Sequence, residues 1–97
     1  MDKNLKLFKN SKLHDYELIG LDINYLDFEI NIRLKSPAGL DCDINIENFM
    51  SCEVSHKEPW GSGKYIVFSN ESYDEIKKIK IIELELNSGD LVKITKQ

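Results

Sequence analysis

Acid–base or metal chemistry in this 97-residue chain would fall to His14, His56, Cys42, Cys52 and the carboxylates around them. An imidazole beside a carboxylate can move a proton or hold a metal ion. His14 and Asp15 are such neighbours. They precede a strand, where successive side chains alternate between faces. They are therefore expected to point apart, with Asp15 bonding the backbone and His14 half-buried. His56 follows a candidate strand, beside Lys57 and Glu58 in a Pro/Gly loop. Joined to His14 and an acid it would make a small metal-binding or hydrolytic enzyme. No ligand spacing supports that, so no metal, no cofactor and no enzyme activity are expected. Cys42 and Cys52 are too few for a disulfide framework. Cys42 falls on an apolar strand parity and reads as a buried free thiol, which suits a reducing cytoplasm.

The acids form the larger pattern. Residues 15–63 carry ten Asp and Glu against Arg33, Lys35 and Lys57, a net of −7. Residues 1–14 carry a net of +3, and residues 64–97 balance. Nucleic-acid binding needs clustered Lys and Arg, so this distribution argues against it. An acidic middle suits a basic protein partner, or is a solvated face. Asp41, Asp43 and Glu47 are its candidate contacts. Paired carboxylates can also cleave glycosides or hold calcium. Here, however, they lie opposite Arg33 and Lys35, as on ordinary sheet surface. Trp60, the single tryptophan, sits in Pro59-Trp60-Gly61-Ser62-Gly63. It either caps the core or anchors a contact, as buried aromatics do at interfaces. His56 beside it joins that candidate contact.

Strands must position these residues. Residues 1–12 read as a loose arm or an edge strand, and residues 13–97 as one β domain. A strand is expected over roughly 16–24, with Ile19, Leu21 and Ile23 on one face. A second, over 27–35, turns Phe28, Ile30, Ile32 and Leu34 inward. Ser36-Pro37-Ala38-Gly39 is turn chemistry. A third strand, over 40–47, pairs Leu34 with Cys42, Ile32 with Ile44 and Ile30 with Ile46. The same register sets Arg33 against Asp43 and Lys35 against Asp41. A weaker strand covers 50–55, and a short one 64–69. The polar stretch 70–78 reads as one helical turn or an irregular loop. Near the end, a three-residue loop at Asn87-Ser88-Gly89 pairs Leu84 with Val92, Ile82 with Ile94 and Glu83 with Lys93. Gly89 is then left-handed. The expected fold is all-β and mainly antiparallel, a sandwich or open barrel of six or seven strands with at most one short helix. No internal repeat is visible. No apolar run approaches the ~18 residues of a membrane helix, and no signal peptide opens the chain.

Leu13-His14-Asp15, Asn48-Phe49, Pro59-Trp60-Gly61 and Asn87-Ser88-Gly89-Asp90 together resemble a group of small uncharacterised bacterial proteins. Some of those act as immunity proteins beside toxins. The resemblance implies a toxin-neutralising role and supplies no catalytic residue. The sequence therefore points to a non-catalytic protein-binding domain, with the enzyme reading and a structural part of a larger assembly as alternatives.

Overall fold

The computed structural model describes residues 13–56 and 65–97. Among these residues seven strands run antiparallel: β1 Glu17–Asn24, β2 Glu29–Lys35, β3 Asp41–Glu47, β4 Phe49–Ser55, β5 Ile66–Asp74, β6 Ile79–Leu86 and β7 Leu91–Lys96. They form two sheets, ordered β1-β2-β3 and β4-β7-β6-β5. The inward rows of both sheets meet in one core, which holds Ile30, Ile32, Leu34, Ile44 and Ile46 from the first sheet. Ile66, Ile82, Leu84, Val92 and Ile94 face them from the second, and Leu13 closes the stack. Two stacked sheets with alternating rows are a sandwich.

Both expected hairpin registers are present. Leu34 faces Cys42, Ile32 faces Ile44, and Arg33 faces Asp43. Leu84 faces Val92, Ile82 faces Ile94, and Glu83 faces Lys93. Gly89 has φ 90°, in a loop closed by Leu86 N–H donating to Asp90 O at 2.9 Å. A Cβ at Gly89 would meet nothing within 4 Å, so only its backbone conformation resists substitution. Gly89→Val should lower stability by about 1 kcal/mol or more, read by urea unfolding. An unchanged midpoint would contradict the loop geometry.

Four expectations change. The stretch 70–78 is not helical, and no helix occurs among the described residues: β5 runs on to Asp74 and a four-residue turn follows. Phe28 is not an inward strand residue, because it closes the β1–β2 turn at φ 53°. A bulge between Leu18 and Gly20 turns Leu18 to the core and leaves Ile19 exposed. Cys42 is half-buried against the core rather than enclosed.

The structure also reveals a repeat. The meander β1-β2-β3 recurs as β5-β6-β7 at an offset of 50 residues. Ile32↔Ile44 becomes Ile82↔Ile94, and Leu34↔Cys42 becomes Leu84↔Val92. The loops match as well. Gly39 at φ 84° corresponds to Gly89, and Phe28 corresponds to Lys78 at φ 56°. Asn24 Oδ1 accepts from Leu26 and Asp27 N–H, as Asp74 Oδ1 does from Ile76 and Lys77 N–H. Such side-chain caps pre-form a turn. Over 17–47, only Ile32, Leu34, Gly39 and Ile44 are identical to the residue 50 places on.

Candidate functional site

With two copies of one meander, the places where they differ are informative. The β5–β6 tip carries Lys77, Lys78 and nearby Lys80, whereas the β1–β2 tip carries Tyr25, Leu26, Asp27 and Phe28. Tyr25 is 74% exposed and Leu26 90%. The Tyr25 and Phe28 rings meet edge-on, with centroids 5.5 Å apart. Phe49, at the start of β4, lies 6.4 Å from Phe28 and packs against the core behind it. Phe49 N–H donates to Phe28 O at 3.0 Å and fixes the turn to β4. The aromatic group is thus exposed at its tip and anchored at its base.

Carboxylates surround it. Residues 17–47 carry seven Asp and Glu against Arg33 and Lys35. On the outer face Arg33 Nε binds Asp22 at 2.8 Å, and Asn31 Nδ2 donates to Asp43 at 3.4 Å. Nearer the tip, Glu29 lies directly across from Glu47. Like charges opposite one another on a sheet repel. In the second sheet Lys93 sits between Glu53 and Glu83, a row that corresponds to Arg33 against Asp43 in the first. That sheet also bears a groove of about 320 Å³, lined by Phe68 and Leu91 together with this balanced row.

The histidines do not converge on one site. His14 Nδ1 lies 3.2 Å from Asp15 Oδ2, with both side chains more than half exposed. They were expected to point apart. Asp15 at φ 71° breaks the strand alternation and brings them together, while Asp15 N–H donates to Ile66 O. His56 Nδ1 stands 2.6 Å from Asp90 Oδ2, at the end of the sheet where Ser55 faces Leu91. Asp90 is nearly buried there. No group of three metal-ligating side chains occurs among the described residues. Trp60 lies outside the described residues.

Comparison with protein-family models, with curated proteins and with solved structures finds no match. Of the residues singled out in the sequence, Asp41, Asp43 and Glu47 lie on the exposed face of β3. Tyr25, Phe28 and Phe49 were missed as a group. Their signal was an aromatic at each end of a four-residue turn, with a third aromatic, Phe49, starting a later strand.

Cys52 packs against the core from β4, and burial pushes its thiol pKa up. The neutral thiol is the form that the fold accommodates. It supports the fold below the ordinary thiol pKa, and that support is lost as pH rises through the raised value. Iodoacetamide at mildly alkaline pH should therefore modify Cys52 more slowly in the native chain than in the urea-unfolded one. Equal rates would show that the thiol is not shielded. No helix among the described residues is long and apolar enough to cross a membrane.

Proposed function

We propose that this chain is a non-catalytic binding domain whose acidic, aromatic β1–β2 tip docks on a basic protein surface. The observation that carries this reading is the Tyr25–Phe28–Phe49 cluster, exposed beside the facing carboxylates of Glu29 and Glu47. An aromatic anchor inside a charged rim is the usual anatomy of an interface hot spot. A basic partner would relieve the Glu29–Glu47 repulsion, which the isolated chain bears as a cost. The resemblance of the Leu13-His14-Asp15 and Ser88-Gly89-Asp90 segments supports toxin neutralisation as the setting, with the toxin as the basic partner. A cytoplasmic location fits the free cysteines. The enzyme or metal-site alternative through His14, Asp15 and His56 has less support, because each histidine pairs with a different carboxylate.

The carboxylate pair gives a test in which stability and binding move in opposite directions. Glu47→Gln should stabilise the free domain by about 0.5 kcal/mol, since it removes one of two opposed charges. It should also slow association with the partner and flatten the salt dependence of that association. The measurements are urea unfolding of the free chain, and association rates at low and high salt with the protein encoded beside it. A Glu47→Gln chain that is less stable and binds unchanged would make the pair structural.

A further inference from the structure

The two hairpin tips of the repeat stand at one end of the sandwich. In the first sheet the last row before the β1–β2 turn is Asn24, Glu29 and Glu47. Asn48 alone then carries the chain from Glu47 to Phe49 in the second sheet. The row there runs from Phe49 through Lys96 and Lys80 to Tyr73, one pair short of the β5–β6 turn. The limits of the described residues at Leu13, His56 and Tyr65 are at the far end. Leu13 O accepts from Tyr16 N–H there, His56 meets Asp90, and Tyr65 O accepts from Asn87 N–H.

At matched positions the tips are opposite in charge. Tyr25 to Ile30 carries Asp27 and Glu29, a net of −2. Fifty places on, Glu75 to Lys80 carries Lys77, Lys78 and Lys80 against Glu75, a net of +2. Asp74, just before, is engaged by the Ile76 and Lys77 N–H groups. Each tip also holds one aliphatic side chain out in solvent at the same place, Leu26 at 90% exposure and Ile76 at 94%.

We propose that two copies of this chain dock end to end about a two-fold axis, the β1–β2 tip of each against the β5–β6 tip of the other. Asp27 and Glu29 of one copy then face Lys77, Lys78 and Lys80 of the other, and Leu26 packs on Ile76. The same contact forms twice. Such an isologous contact closes as a dimer, whereas a head-to-tail one would grow into a filament. Opposite charges at the two tips favour this pairing over like tip on like tip, which would set two acidic or two basic turns together. Two hairpin tips make a small interface, so the dimer is weak and sensitive to salt. It needs no other protein. A basic partner would compete with the second copy for the β1–β2 tip.

The test is sedimentation velocity of the full chain from about 10 μM to about 1 mM. At low salt, monomer should pass to dimer over this range. High salt should raise the dissociation constant at least about 10-fold. Asp27→Lys and Lys77→Asp should each weaken association by a similar factor, because each sets like charges face to face. Both changes in one chain should restore it to within about threefold of the unaltered chain. That recovery distinguishes a contact between copies from damage to the fold. A second measurement uses chains with Cys42→Ser and Cys52→Ser. Leu26→Cys and Ile76→Cys chains, mixed and oxidised, should cross-link to each other faster than either does to itself. A monomer at every concentration, or growth beyond the dimer, would overturn the proposal. So would a double charge reversal that associates no better than the single ones, or cross-linking as fast within each cysteine variant as in the mixture.

Discussion

Ile82→Ala is expected to lower the unfolding free energy by about 3 kcal/mol, and Ile32→Ala by a similar amount. Each isoleucine is completely buried in an interior strand of its sheet, β6 and β2 respectively. Each faces another isoleucine across the strand pair, Ile94 and Ile44. Removing three carbon atoms there forfeits transfer free energy and leaves a cavity that two packed sheets cannot readily close. A domain of this size has a total stability of only about 5–10 kcal/mol, so either change should shift the urea midpoint far down. Because the two positions are equivalent in the repeat, their effects should match to within about 1 kcal/mol. A large loss at one and almost none at the other would mean that the halves do not share a core.

Much of this architecture could be read from residue types. Alternation in β2, β3, β6 and β7 fixed two registers, because a slip of one residue would have put charges inside. Gly39 and Gly89 marked the tight loops. β5 was cut short in the sequence reading for a physical reason. Its inward positions beyond Ile66 include Ser69, which faces Leu84, and Glu71, which faces Ile82. An edge strand of this kind shows no apolar period. Phe28 misled because it keeps the parity of Ile30 while its backbone turns left-handed. The repeat was hidden for a related reason. Turn geometry and inward parity recur, whereas Ile30 becomes Lys80 and Ile46 becomes Lys96. The aromatic tip needed three dimensions, since Phe49 reaches Phe28 only through the β3–β4 corner at Asn48, which has φ 58°.

The second large effect concerns binding. Tyr25→Ser with Phe28→Ser removes the exposed ends of the aromatic cluster and leaves Phe49 in place. Neither residue belongs to the buried core, so the urea midpoint should move by less than about 1 kcal/mol. Aromatic anchors at an interface are each worth about 2 kcal/mol or more. The double variant should therefore weaken partner binding by at least about 100-fold, mostly through faster dissociation. The charged rim acts earlier, on encounter, so its variants and the aromatic ones should separate kinetically.

The repeat supplies the control. Tyr73 and Ile76 occupy the equivalent hairpin of the second sheet, and Ile76 is 94% exposed. The most direct test is capture of the protein encoded beside this chain, at low salt, by two baits side by side. One carries Tyr25→Ser and Phe28→Ser, the other Tyr73→Ser and Ile76→Ser. The first should lose the partner and the second should retain it as the unaltered chain does. Retention by the first bait with loss by the second would place the contact on the opposite tip and contradict the assignment.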